Sequence, residues 1–202
     1  MVYFRINRLI NNLLLVLCIS CCSHIGMVYA SDFKSISLDF SSDSNKSHPI
    51  SLRFNGKLYT DKQKNTFDQI LSLGGGTKEE KFIMQVIQVY KGGDKDAMLK
   101  LWNPSERSQI KPMMDDPVAY DKNLALYNNI LSSKFLAMLQ YGGFVLCYVE
   151  HDLKGVGPYV KLYPIKIEDK NLYLSNILMH DFFFQKIAFQ LGDYIKQEVE
   201  KK

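Results

Sequence analysis

The chain has 202 residues, with 25 Lys and Arg against 21 Asp and Glu, a formal net charge of +4, and a hydrophobic fraction of 47%. Both charge signs are scattered along it, so no basic stripe is offered to a phosphate backbone and nucleic acid is not an expected partner. The length suffices for one domain with its own hydrophobic core.

The first thirty residues read as a signal peptide. Arg5 and Arg8 precede a short apolar run from Leu13 to Ile19, and Val28, Tyr29 and Ala30 present a cleavage site before Ser31. Asn11, Asn12, Ser20, Ser23 and His24 keep the apolar core well below the roughly 20 residues a spanning helix needs. A lipoprotein reading would make Cys18, Cys21 or Cys22 the first mature residue; Leu17 is too large to precede Cys18, and Cys21 lacks a leucine three positions upstream. The expected product is periplasmic or secreted, with a membrane-anchored lipoprotein as the alternative.

Cleavage after Ala30 changes the arithmetic. Arg5 and Arg8 are the only charged residues of the first thirty, so 23 of the 25 basic residues and all 21 acidic ones remain, for a net charge of +2. Three of the four cysteines leave as well. Cys147, in an apolar run from Phe144 to Val149, is expected to be a small buried hydrophobe.

Residues 31–76 read as a polar N-terminal arm, in which Ile36, Leu38 and Phe40 alternate as in a short strand. Asn55 and Gly56 between two alternating segments predict a tight hairpin turn, because both tolerate positive φ. Residues 77–202 read as an α+β domain with a C-terminal helix. Thr77 and Glu80 have capping-box spacing before a helix whose stripe holds Phe82, Val86 and Val89, widened by Ile83, Ile87 and Tyr90. Gly92 and Gly93 should end it, and Asp94 should cap a second helix running into Trp102.

After an irregular stretch, Asp116 and Pro117 predict a third helix that buries Val118, Leu124, Tyr127, Ile130 and Leu131. The period then becomes that of strands: 134–141, 144–152, 159–167 and 172–177, joined by short connections as in an antiparallel meander. Asp181 is placed to cap a terminal helix with Phe184, Ala188, Leu191, Ile195 and Val199 on one face.

This order of elements, with the phrases Leu162 to Ile165 and Leu172 to Leu178, resembles the nuclear transport factor 2-like superfamily, a cystatin-like α+β cone, over roughly residues 77–178. The resemblance implies helices packed on a strongly curved antiparallel sheet, with a conical pocket between them. The superfamily includes isomerases, dehydratases, hydrolases, transport factors and inert assembly domains, so it leaves function open.

No catalytic signature, cofactor fingerprint or metal-ligand spacing is present; His48, His151 and His180 are too dispersed for a zinc site. Glu150, His151 and Asp152 cluster at a strand end, where they are expected to be solvated, with Glu150 and Asp152 facing away from His151. Either carboxylate is a candidate acid or base if an apolar cone raises its pKa. Trp102, Tyr148, Tyr159 and Tyr163 are the aromatic candidates for a cone wall, and Lys161 is the basic candidate sharing strand parity with Tyr159 and Tyr163. The resulting expectation is an exported noncatalytic binding or assembly module of the bacterial envelope. An unknown envelope protein, a small apolar ligand or a second copy of the chain is its partner, and no cofactor is implied. The alternative is a small-molecule isomerase or hydrolase using the conical pocket.

Overall fold

The computed structural model describes residues 34–40, 50–60, 66–72 and 76–200; the expected signal peptide and its cleavage site lie outside them. Strands β1 (Lys34–Phe40), β2 (Ile50–Leu58), β3 (Ile130–Tyr141), β4 (Phe144–Leu153), β5 (Gly157–Glu168) and β6 (Asn171–Leu174) form one six-stranded sheet in chain order. Every neighbouring pair is antiparallel. Helices α1 (Phe67–Ser72), α2 (Lys78–Gly92), α3 (Lys95–Leu101), α4 (Arg107–Asp115) and α5 (Pro117–Asn128) come before β3, and α6 (Phe182–Glu200) follows β6 after a 3-10 turn at Ile177–His180. The class is α+β.

The helix boundaries follow local capping chemistry. Thr77 Oγ1 accepts from the Glu80 backbone N–H while Glu80 Oε2 accepts from the Thr77 N–H at 2.7 Å, a complete capping box. Gly93 closes α2 in the left-handed region at φ 71°. Asp94 caps α3 through the Ala97 N–H at 3.0 Å, and Asp116 caps α5 ahead of Pro117. Asp181 receives the Phe184 N–H at 2.9 Å.

Several expectations need correction. Asn55 and Gly56 do not turn the chain but lie inside β2, where Asn55 pairs with Gln140 and Gly56 with Leu139. A Cβ on Gly56 would fall 2.5 Å from the Met138 carbonyl oxygen, so this glycine is required by the close approach of β3. The hairpin of the arm is instead β1 with β2, which extends the main sheet.

The irregular stretch after Glu106 is helix α4, despite its internal Pro112. Burial of Ile110 and Met114 outweighs the proline, and buried Glu106 anchors the helix start by accepting from Ser175 Oγ and from the Asn176 N–H at 2.6 Å. Finally, Val118 and Leu131 are exposed. Ile130 already begins β3, so residues 130 and 131 point to opposite sides instead of sharing a helical face.

The sheet is covered on both sides. One face of β2, β3 and β4 meets α6 in a cluster holding Leu136, Leu139, Leu146 and Tyr148 against Phe184, Ala188, Leu191, Ile195 and Val199. The other face meets helices α1 to α5, with Phe67 and Tyr59 stacked on Phe135. The strongly curved sheet is not formed: the sheet is not strongly curled. The expected cone assumed one packed, concave face; with α6 on the opposite side, the sheet is the middle layer between two helical ones.

Candidate functional site

Between α2, α4, α5 and β5 lies a cavity of about 490 Å³. Its walls are set by three local facts. Tyr90 lies on the buried stripe of α2, Tyr127 falls in the last turn of α5, and Trp102 sits where α3 ends. Tyr90 and Tyr127 stack with ring centres 4.6 Å apart, and Trp102 Nε1 donates to Tyr90 Oη at 2.8 Å. The indole and the Tyr90 phenol thereby satisfy each other's polar tips, and stacking holds the Tyr127 ring beside them.

Strand β5 supplies the opposite wall through Lys161, Leu162, Tyr163 and Pro164. Lys161 Nζ donates to Tyr127 Oη at 2.9 Å and stands 4.6 Å from the Tyr127 ring centre and 5.1 Å from that of Tyr163. Among the described residues it has no ion-pair partner, and no lining side chain of the cavity is acidic. Burial draws the Lys161 amine down to about 8. A fraction of these amines is therefore uncharged at neutral pH.

Behind this wall the polar chain continues. Tyr163 Oη contacts His151 Nε2 at 2.8 Å, and His151 Nδ1 contacts Ser133 Oγ at 2.7 Å. One imidazole nitrogen donates and the other accepts, which suits a neutral ring. Burial, then the positive charges of Lys161 and Lys91, bring His151 down to about 4. Burial pushes Tyr90 up to about 12 and raises Tyr127 and Tyr163 as well, so all three remain phenols.

Of the residues singled out in the sequence, Trp102, Lys161 and Tyr163 line the cavity. Tyr148 does not: it lies on the opposite sheet face, where its hydroxyl donates to the Ala188 carbonyl at 3.1 Å under α6. Tyr159 shares parity with Lys161 but is 45% exposed, beyond the end of the cavity. Glu150 lies outside it as well, paired with Lys134 at 2.8 Å, and Asp152 is exposed. His151 is not at a solvated strand end; it is 1% exposed. Its parity was readable, but the cover that α2 to α5 give to that face was not. Tyr90 and Tyr127 were readable only as helical core positions, since nothing in their spacing distinguishes a filled core from a cavity wall.

A second polar group surrounds the start of α2. Glu80 accepts from Tyr59 Oη, pairs with Lys57 at 3.4 Å and completes the cap of Thr77. These bonds account for it as a structural anchor. Cys147 is fully buried nearby, and burial pushes its thiol well up, away from the reactive thiolate. Among the described residues no group of three or more His, Cys, Asp or Glu could hold a metal ion, and no helix is long and apolar enough to cross a membrane.

Comparison of the chain with protein-family models, curated proteins and solved structures gives no match.

Proposed function

We propose that the chain is an exported, noncatalytic binding module of the bacterial envelope whose cavity holds a small, largely apolar, ring-bearing ligand with one acceptor group against Lys161. The observation that carries this reading is a half-buried amine, with no ion-pair partner among the described residues, in an aromatic cavity of about 490 Å³ with no acidic lining. Such a volume lies within the range of small-molecule sites, where apolar walls supply affinity and one polar group fixes orientation. The export half rests on Arg5, Arg8 and the apolar run that follows them. The order of helices and strands supports a nuclear transport factor 2-like arrangement, flattened and backed by α6. The enzymatic alternative loses its named acid and base, since Glu150 and Asp152 both lie away from the cavity.

Trp102 is the only tryptophan of the chain and lies in the wall, so its emission reports on the cavity directly. Titration with benzoate, a ring with one acceptor group, is expected to change that emission saturably. Lys161→Met is expected to weaken binding by about tenfold, the loss of one charge-assisted contact. An unresponsive Trp102, or equal affinity in the variant, overturns the reading.

A further inference from the structure

The polar contacts of Lys161 go beyond what a counter-charge for an acceptor group requires. No carboxylate lines this cavity to hold the amine as an ammonium. Its hydrogen-bond partner is the Tyr127 phenol, held in place by stacking on Tyr90. The remaining neighbours are the Tyr163 ring and the apolar walls. The titratable and charged groups facing this part of the cavity are Tyr90 on α2, Tyr120, Lys122 and Tyr127 on α5, and Tyr163 on β5, with His151 of β4 behind it. All are either cationic or neutral acids and bases, so no counter-charge holds a proton on Lys161. We propose that Lys161 captures a small aromatic aldehyde or ketone covalently, as an imine, in this cavity. The inference rests on the cavity being the ligand site and names the chemical class it takes.

The step balances without oxidant or reductant. The Nζ lone pair forms the bond to the carbonyl carbon while the π pair of the C=O moves onto oxygen. One nitrogen proton passes to that oxygen, giving a carbinolamine. The C–O bond then breaks, the oxygen leaves as water after taking a further proton, and the last nitrogen proton is released as the C=N bond closes. The Tyr127 hydroxyl, 2.9 Å from Nζ, is placed to relay a proton between nitrogen and oxygen. Burial keeps that hydroxyl protonated, so it relays without ionising.

The test uses the full chain with benzaldehyde and sodium cyanoborohydride, followed by intact mass and peptide mapping. A single benzyl group on Lys161, added saturably and about tenfold faster than on exposed lysines, is expected from an amine that is partly uncharged at neutral pH. Lys161→Arg, which keeps the charge but cannot form the imine, should abolish the rapid label. Tyr127→Phe should slow labelling severalfold. Benzyl groups spread over exposed lysines with Lys161 unmodified overturn the proposal. If benzoate still moves Trp102 in that case, only the imine falls; if benzoate is also without effect, the binding reading falls with it.

Discussion

The two faces of one sheet are built from alternate residues of the same strands, and they differ in kind. On the face under α6, Leu136, Leu139 and Leu146 meet Leu191 and Ile195 in a close-packed apolar layer whose one polar tip, the Tyr148 hydroxyl, is taken up by the Ala188 carbonyl. On the face under α2 to α5 stand Ser133, His151, Lys161 and Tyr163, bonded to one another or to Tyr127 beside the cavity. A single-residue step in β4, from Tyr148 to Val149, crosses between the two. The contrast sets a packed apolar layer on one side against the proposed binding cavity on the other.

Substitutions can break that division. Leu191 is 0% exposed at the centre of the α6 face, so Leu191→Ala should cost about 3 kcal/mol in urea unfolding, through lost burial and a residual cavity. Trp102 should respond to benzoate unchanged in the molecules that remain folded. Equal damage to both readouts would mean that the faces are not separable.

Acid should act on the other side. His151 falls from an ordinary 6.5 to about 4 on folding, so the folded protein prefers the neutral ring, and stability is lost as pH drops from about 6.5 toward 4. By about pH 4.5 this should amount to about 2 kcal/mol. His151→Gln, which cannot titrate, should lose less stability than the wild type over that interval; parallel curves would show that the imidazole is not held neutral.

Hydroxyl deletions sharpen the contrast further. Tyr148→Phe removes the bond to Ala188 and should cost about 1 kcal/mol without altering ligand response. The smallest effect should have the opposite sign. Lys161 drops from 10.5 to about 8 on folding, so its burial costs stability fully below pH 8, and the cost fades as pH rises from about 8 toward 10.5. Lys161→Met should therefore be slightly more stable at neutral pH, by up to about 1 kcal/mol, while its benzoate affinity falls. A destabilised variant would mean that the amine supports the fold.

What the sequence disclosed was chiefly what short-range chemistry determines. Thr77, Glu80, Gly93, Asp94 and Asp116 act within a turn of their own positions, and the caps formed where those residues stand. The strand periods of 134–141, 144–152 and 159–167 were equally legible, because alternation needs no knowledge of the partner, whereas the strand expected over 172–177 ends at Leu174 ahead of the 3-10 turn at Ile177–His180. Gly56 was misread because a glycine at a turn and a glycine under a neighbouring backbone look alike until β3 is in place. Helix α4 was missed because its warrant is distant, in Ser175 and Asn176 some seventy residues later. The candidate site split along the same line. Tyr159, Lys161 and Tyr163 could be put on one side of β5 from parity alone, but the pairing of Cys147 with Tyr163, which sends Tyr148 to the other face, exists only in the folded register.

The enclosure of Cys147 has a practical consequence. Beyond residue 22 it is the only cysteine in the sequence, and it lies at the middle of a central strand with no exposed surface. An alkylating reagent can reach it only when β4 separates from its covering layers. Its modification rate is therefore a built-in clock for global opening of the domain, one that needs no added dye and that every variant above inherits.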